Sequence, residues 1–185
     1  MSIAGARSCG AALSGEPGAR VSSDPAAPTG LVIVPVEPTG DEALRCVERY
    51  YADVSVRFGE PVTLERYPNP LPGELTPPSG VFLVVRLDGE AVGCGALTTL
   101  SPGVGYLSRM WVSETARGRG LGRALLGALE AWSRRLGHRA VRLYTHRNLP
   151  EAQELYRRHG YREVPPFLDA APFADLWFEK ALEIA

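Results

Sequence analysis

Three glycines stand at alternate positions in the stretch ARGRGLGRALL, which runs from Ala116 to Leu126. Glycine has no Cβ, so a backbone rich in it can turn tightly and can bring its N–H groups close to an anion. The stretch is expected to lie between a strand and a helix, and the start of a helix has unpaired N–H groups with a partial positive charge. The spacing therefore predicts either a tight turn or a loop that binds phosphate.

Two common phosphate-binding motifs do not fit this loop. The dinucleotide-binding fingerprint, counted from Gly118, requires a glycine at the position that Arg123 occupies. A P-loop requires Lys followed by Ser or Thr after its last glycine, and the loop has no such pair. The pattern that fits is Arg or Gln, two residues, Gly, one residue, then Gly or Ala, and it is satisfied by Arg117, Gly120 and Gly122.

Strands are predicted on both sides of the glycine loop. They are expected at LVIVPV, VFLVVRL, EAVGCGALTTL, VGYLSRMWVS and RAVRLYT, with further strand character in YREVPPF and FADLWFEKAL. The dipeptide Asp88-Gly89 predicts a hairpin between the second and third of these strands. A Pro-rich connector at 59–80 is long for a compact domain, which predicts a mobile or a functional segment.

Helical periodicity predicts three helices between the strands. The first opens after an N-cap candidate, Thr39 or Asp41, and the third, LPEAQELYRRHG, stops at Gly160. The second includes Gly127, which costs about 1 kcal/mol relative to Ala in a helix, so we expect a neighbour to pack closely against it. Apolar residues line one face of this second helix at Leu121, Leu125, Leu129, Trp132 and Leu136.

Composition limits the classes of protein that this chain can be. Its 185 residues, 45% of them hydrophobic, fit one globular domain with a core. Residues 1–29 are rich in Ala, Gly, Ser and Pro and lack periodicity, so we predict a disordered leader there and a single domain at 30–185. The formal net charge of −1 argues against a protein built mainly to bind nucleic acid.

Membrane, metal and secretory signals are not found in the sequence. No apolar run is long enough to span a bilayer, and the leader lacks the apolar region of a secretory signal. Cys9, Cys46 and Cys94 are well separated and have no metal-ligand spacing, which favours reduced thiols in a cytosolic protein. We therefore expect a cytoplasmic protein that binds no metal, no membrane and no nucleic acid.

The segment from about Val104 to Tyr161 resembles the core of the GNAT superfamily of acyl-CoA-dependent N-acyltransferases. RMWVSETARGRGLGRALL is similar to the strand, pyrophosphate loop and helix of that family, and LPEAQELYRRHGY is similar to its next helix. The hairpin VFLVVRLDGEAVGCGAL and the closing WFEKAL extend the likeness from about Leu31 onward. The resemblance implies an α/β fold with one GNAT-like domain. In it a mixed, mostly antiparallel twisted sheet is flanked by helices, and two central parallel strands splay apart in a V.

The resemblance also implies acetyl-CoA as the cosubstrate. Main-chain N–H groups of the glycine loop would hold its pyrophosphate, and the exposed edge of the preceding strand would pair with the pantetheine amides. Arg119 and Arg123 would contact phosphate or form solvated helix surface, and the sequence leaves both open. Asn148 is included although many relatives carry their asparagine at the position of Leu149. The implied cofactor-binding residues are Met110, Trp111, Val112, Arg117, Gly118, Arg119, Gly120, Leu121, Gly122, Arg123, Asn148 and Tyr156.

Tyr156 matches the tyrosine that stands near the CoA sulfur in the family, which implies that it is the catalytic acid. A phenol is protonated at neutral pH and can donate to a leaving thiolate, although a tyrosine that packs in the core is the alternative. The general base is open, because many relatives carry Glu where this chain has Tyr106. Ser108, a water chain or a carboxylate from elsewhere would serve. The carboxylate candidates are Glu48, Asp53, Asp169 and Asp175.

The resulting hypothesis is an N-acetyltransferase that moves an acetyl group from acetyl-CoA to the primary amine of a small molecule by direct attack on the thioester. An acyl-CoA sensor of the same fold without turnover is the alternative. Nucleic-acid binding through 134–158 is disfavoured, since no aromatic stacking pattern accompanies the arginines. Family members are often dimers, so the resemblance allows a homodimer. The expected acceptor wall, which would suit a small cationic amine or simply core packing, comprises Tyr50, Tyr51, Asp53, Phe58 and Tyr67.

Overall fold

The computed structural model describes residues 28–67, 70–169, 171 and 173–183, so the predicted leader lies outside the described residues except for its last two positions. Within these residues no helix is both long enough and apolar enough to cross a bilayer. The helices are α1 (Asp41–Phe58), α2 (Leu121–Arg135) and α3 (Pro150–Arg158). The strands are β1 (Leu31–Pro35), β2 (Gly80–Leu87), β3 (Glu90–Ser101), β4 (Val104–Val112), β5 (Ala140–Thr145), β6 (Arg162–Glu163) and β7 (Leu176–Ala181).

The described strands form one mixed sheet in the order β1-β2-β3-β4-β5-β7-β6. All neighbours are antiparallel except β4 and β5, which are parallel and pair only from Val104 with Ala140 to Tyr106 with Arg142. Beyond that point β4 continues to Val112 while β5 ends at Thr145. The two strands therefore separate toward their C-terminal ends, which confirms the splay that the resemblance implied.

Two local predictions can be compared with the structure, the turn between β2 and β3 and the N-terminal cap of α1. Asp88 (φ 52°) and Gly89 (φ 88°) both have positive φ, as a tight two-residue hairpin requires, so the predicted β2–β3 turn is confirmed. The predicted cap of α1 is wrong, because Gly40 precedes the helix and no side chain caps it. The Thr39 hydroxyl instead donates to Glu37 Oε1 at 3.2 Å, and Asp41 lies in the first turn, where its charge favours the helix dipole.

Hydrophobic cores lie on both faces of the sheet. On one face α1 packs against β2, β3 and β4, and on the other face α2 and α3 cover the sheet. The predicted apolar face of α2 is confirmed, since Leu121, Leu125 and Leu129 are fully buried. The close approach expected at Gly127 occurs instead at Gly95 of β3, where an added Cβ would lie 2.8 Å from Leu129 Cδ1. Nothing lies within 4 Å of a Cβ at Gly127.

A β-bulge interrupts β4 just before the glycine loop. The pairing with β3 shifts register between Cys94 and Ala96, and Arg109 on the opposite strand has φ 52°. Leu107 belongs to the core under α2, whereas Trp111 belongs to the core under α1. In a regular strand these two residues would share a face, so the extra residue reverses the alternation of β4.

Candidate active site

A cavity of about 800 Å³ opens where β4 and β5 separate. Its walls come from α1, the Pro-rich connector, β4, the glycine loop, the end of β5 and α3. Among the residues predicted to bind the cofactor, only Arg119 and Asn148 lie outside this lining. The lining includes Met110, Trp111, Val112, Arg117, Gly118, Gly120, Leu121, Gly122, Arg123 and Tyr156.

The glycine loop presents open backbone to this cavity at the start of α2. Gly118 (φ 75°) and Gly120 (φ 78°) adopt the left-handed conformation that favours glycine, and a Cβ at either would meet no protein atom within 4 Å. The N–H groups of Gly118, Gly120 and Gly122 donate no hydrogen bond to any described residue. Unpaired N–H groups at a helix start can bind an anion, and their contact with the pyrophosphate of acetyl-CoA stays a prediction.

Arg117 differs from the glycines that follow it because it holds the loop in place. Its backbone N–H donates to Glu114 O at 3.2 Å, and its Nε donates to Val112 O at 3.0 Å. Its Nη2 donates to Asp53 Oδ2 at 2.5 Å, which ties the loop to α1. Contact of Arg117 with phosphate stays a prediction.

Tyr156 reaches from α3 into the same cavity. Its hydroxyl donates to the Met110 sulfur at 3.9 Å, and its side chain is only 6% exposed. The ring packs against Tyr161 and Phe178 in the core, and the residue also lines the cavity. The role of Tyr156 as the catalytic acid stays a prediction. Burial raises the pKa of Tyr156, which keeps the phenol protonated at neutral pH. A thioether is a weak acceptor, so the hydroxyl can turn to a stronger one such as a thiolate.

The β4 residues considered for the base also line the cavity. Tyr106 and Ser108 stand there, on the face opposite to Leu107. Burial, followed by the neighbouring Tyr144, raises the pKa of Tyr106. The Tyr106 phenol is therefore a hydrogen-bond donor at neutral pH and not a base.

Among the carboxylates considered for the base, Asp53 is the one that lines the cavity, and Arg117 engages it. Glu48 and Asp169 are exposed residues outside the lining. Asp175 also lies outside it, and its hydrogen bonds from Arg147 lower its pKa to about 2. In the described part of the chain, no group of three or more His, Cys, Asp and Glu residues is placed to hold a metal ion.

The structure joins α1 to α3 through an ion pair that the sequence did not indicate. Arg57 pairs with Glu151 and also donates to Asn148 O at 3.2 Å, and the guanidinium lowers the pKa of Glu151. The Asn148 amide donates in return to Arg57 O at 3.1 Å. Asn148 therefore fastens the end of α1, outside the cavity lining. No local signal links these residues, because more than 90 positions separate them.

Aromatic rings surround the end of the cavity between α1 and the connector. All five residues expected in the acceptor wall line the cavity, and Phe173 joins them. The Phe173 ring lies 5.3 Å from that of Phe58 and 5.0 Å from that of Tyr67. The His146 ring lies 4.2 Å from Phe58. The sequence missed Phe173 because it belongs to an irregular segment of the tail, without periodicity to place it.

The known proteins that this chain resembles in sequence include several acetyltransferases. The model of the acetyltransferase (GNAT) family matches residues 47–161. A protein of Azospirillum brasilense named IAA acetyltransferase is 38% identical over 110 residues, which cover 58% of this chain and 72% of that protein. An aminoglycoside N(6')-acetyltransferase type 1 of Stenotrophomonas maltophilia is 34% identical over 92 residues, 45% of this chain and 60% of that protein.

Solved structures show the same fold. The paia N-acetyltransferase from Thermoplasma acidophilum, solved in complex with coenzyme A, superposes with a TM-score of 0.62 at 16% identity. The match covers 82% of this chain and 99% of that one. At this level of identity the likeness concerns the arrangement of the sheet and helices alone.

Proposed function

The chain belongs to the acetyltransferase (GNAT) family, and we propose that it is an enzyme that moves the acetyl group of acetyl-CoA to the primary amine of a small molecule. The observation that carries the proposal is one cavity that holds both the open N–H groups of Gly118 to Gly122 and the hydroxyl of Tyr156. Relatives named for acetylation of IAA and of an aminoglycoside support a small-molecule acceptor.

The residues of the cavity fit acetyl-CoA. Its pyrophosphate needs N–H donors that are free of other partners, and the glycine loop offers them at the positive end of α2. Its pantetheine arm needs backbone partners, and β4 offers Met110 to Val112 where its pairing with β5 has ended. A coenzyme A complex of a protein with this fold is consistent with the assignment.

Acetyl-CoA supplies an acetyl thioester whose carbonyl carbon accepts the amine nitrogen and whose C–S bond then breaks. Tyr156, next to Met110, is placed to donate its proton to the sulfur as negative charge develops there. The phenol then regains a proton from solvent. The attacking amine loses one proton, and Ser108 on β4 has a hydroxyl in the lining that can pass it to water.

The proposal includes a cytoplasmic location. The free thiols of Cys46 and Cys94 are buried in contact with the α1 core, and such thiols are typical of reducing compartments. A homodimer stays a prediction, which sedimentation of the purified chain would test.

The decisive experiment measures release of CoA thiol from acetyl-CoA by the purified protein with a panel of primary amines. Amine-dependent release above the hydrolysis background is expected. The control is Gly120→Glu, whose bulk and negative charge at the phosphate cradle should abolish acetyl-CoA binding while circular dichroism shows a folded chain. If the wild-type protein binds acetyl-CoA but releases no thiol with any amine, the proposal fails.

A further inference from the structure

Few side chains of the cavity can take a proton from an acceptor at neutral pH. An alkylamine such as the lysine side chain has a pKa of about 10.4, so it is almost entirely protonated at pH 7 and must lose a proton before it attacks a thioester. Arginines have no acceptor atom, and phenols keep their protons at this pH. Among the described residues of the lining, the side chains that remain are Asp53, Glu74, His146 and Glu151.

Two of these carboxylates are held by arginines. The Asp53 carboxylate accepts from Arg117 Nη2 at 2.5 Å. The two oxygens of Glu151 accept from Nη1 and Nη2 of Arg57, the second at 2.8 Å, and this guanidinium lowers the pKa of Glu151. Protonation of either carboxylate would break a charge-assisted pair, so transfer of a proton from an ammonium group to it is disfavoured.

The other two groups accept hydrogen bonds from backbone N–H groups. Glu74 is exposed in the connector, and its Oε2 accepts from the Leu71 N–H at 2.7 Å. Nδ1 of His146 accepts from the Asn148 N–H at 3.1 Å, so the proton of the neutral ring lies on Nε2, which is 3.4 Å from Asp175 Oδ2. The basic lone pair of the neutral imidazole is therefore already used.

Strand β4, described over its whole length, also offers no base beside the place where we expect acyl transfer. Met110 of this strand contacts the Tyr156 hydroxyl at 3.9 Å. Burial raises the pKa of Tyr106, and Ser108 Oγ accepts from Arg109 Nη1 at 3.2 Å. A serine hydroxyl can relay a proton to water, but it does not hold an extra one at neutral pH.

An ammonium group would also be poorly accommodated in this cavity. A charge taken out of water needs an opposite charge to pair with it, and the carboxylates of the described lining already accept hydrogen bonds from other groups. The neutral form of the same amine needs only hydrogen bonds, which hydroxyl groups such as those of Tyr106 and Ser108 can supply.

We propose that the acceptor enters this cavity as the neutral amine, and that the enzyme therefore selects amines of low basicity, α-amino groups among them, over alkylamines such as polyamines. The ammonium form loses its proton to water outside the cavity. The neutral nitrogen then attacks the carbonyl carbon of the thioester, the C–S bond breaks as Tyr156 gives its proton to sulfur, and the surplus proton on nitrogen leaves through Ser108 to water. This inference rests on the proposed function, and it replaces the cationic amine that the sequence suggested for the acceptor wall.

The test measures how kcat/KM depends on pH for two isomeric acceptors. Nε-acetyl-L-lysinamide has only an α-amine, with a pKa of about 8, and Nα-acetyl-L-lysinamide has only an ε-amine, with a pKa of about 10.4. If the neutral amine is the substrate, log kcat/KM should rise by about one unit per pH unit until the pH reaches the pKa of the amine. The profile of the α-amine should therefore level off near pH 8, whereas that of the ε-amine should still rise at pH 10.

The two isomers should also differ in rate at pH 7. Roughly one α-amine in ten is neutral at this pH, but only about one ε-amine in 2,500. The ε-nitrogen is the stronger nucleophile when neutral and recovers part of this difference, so kcat/KM for the α-amine is expected to be higher by about tenfold or more. The same profiles are recorded for every amine of the wider panel that releases CoA thiol, each compared with its own pKa from titration.

Variants test the groups that could act as a base instead. Asp53→Asn, His146→Gln and Glu151→Gln each remove one proton acceptor of the lining, and Glu48→Gln removes an exposed carboxylate outside it. In each variant the midpoint of the pH profile should stay at the pKa of the amine, whatever the change in rate. The midpoint belongs to the active molecules, so partial unfolding of a variant does not move it.

The outcomes separate the two proposals. One midpoint shared by amines of different pKa, or a higher kcat/KM for the ε-amine at pH 7, overturns this inference and leaves the acetyltransferase function intact. A midpoint that moves to the pKa of the amine only when Asp53, His146 or Glu151 is replaced identifies that residue as the base and also overturns it. No thiol release with any amine, despite acetyl-CoA binding, overturns both proposals.

Discussion

A comparison of the variants Gly120→Ala and Gly137→Ala would separate two effects of an added methyl group. One is backbone strain, which lowers thermal stability, and the other is loss of contact with acetyl-CoA, which lowers affinity. Gly120 precedes α2 with φ 78°, and Gly137 follows the same helix with φ 81°. An added Cβ would meet no protein atom within 4 Å at either position. The helix between them has 15 residues and is therefore roughly 22 Å long at about 1.5 Å per residue, so the two sites lie at its opposite ends.

Both variants should lose stability to a similar extent. A non-glycine residue in the left-handed region costs about 1–2 kcal/mol, and no clash adds to it at either site. In a chain of this size each kcal/mol lowers Tm by roughly 2–4 °C. Thermal unfolding of both variants should therefore show a comparable decrease of a few degrees.

Binding of acetyl-CoA should distinguish them. The methyl group at Gly120 would take up open space in the part of the cavity that we assign to pyrophosphate. Displacement of the phosphate would weaken its hydrogen bonds from the loop, and hydrogen bonds to charged groups are worth about 1.5–3 kcal/mol each. Loss of one such bond raises Kd by about tenfold or more. Isothermal titration calorimetry with acetyl-CoA should show this increase for Gly120→Ala alone. Equal affinity in the two variants would refute the assignment of the glycine loop.

Three further predictions concern catalysis, the helix surface and pH. Tyr156→Phe should lower kcat about a hundredfold or more with little change in the Kd for acetyl-CoA, because a general acid contributes at least that much, and an unaffected rate would remove Tyr156 from this role. Gly127→Ala should raise the free energy of unfolding by about 0.5–1 kcal/mol in urea titrations, since the site is exposed with open space for a Cβ, and a decrease would contradict the packing described here. Burial raises the pKa of Tyr106, Tyr156 and Tyr161 above the unfolded value of about 10. Their contribution to stability is therefore complete below about pH 10 and is lost as the pH rises further, so the free energy of unfolding should fall progressively from about pH 10 to pH 12. A flat profile over that range would show that these phenols titrate alike in both states.

The sequence predicted the elements that depend on neighbouring residues. Periodicity placed the strands and helices within a few residues, and Asp88-Gly89 placed the β2–β3 turn. The predicted N-cap failed because the Thr39 hydroxyl bonds to Glu37, a competing contact that residue type alone does not reveal. The close packing predicted at Gly127 was also wrong. The glycine that α2 packs against is Gly95 of β3, which is distant from the helix in the sequence.

The composition of the cavity between α1 and β4 could be read only from the tertiary structure. The alternation of VGYLSRMWV gives no sign that Arg109 takes a positive φ, yet the bulge there decides which β4 side chains face α3. The pairing of Arg109 with Tyr51 spans 58 positions and that of Arg117 with Asp53 spans 64. Such contacts depend on how helices dock on the sheet, and no local pattern encodes the docking.

The sequence by itself determined the order of elements, the glycine loop at a helix start and the match of Tyr156 to the family, because backbone propensity and turn chemistry are local. The tertiary structure decided that the loop, Tyr156 and Arg109 open into one cavity, and that its carboxylates are already engaged by cations or N–H groups. The physical reason is that charge pairing and exposure depend on distances between segments far apart in the chain. Those distances are set only when the strands splay and the helices pack.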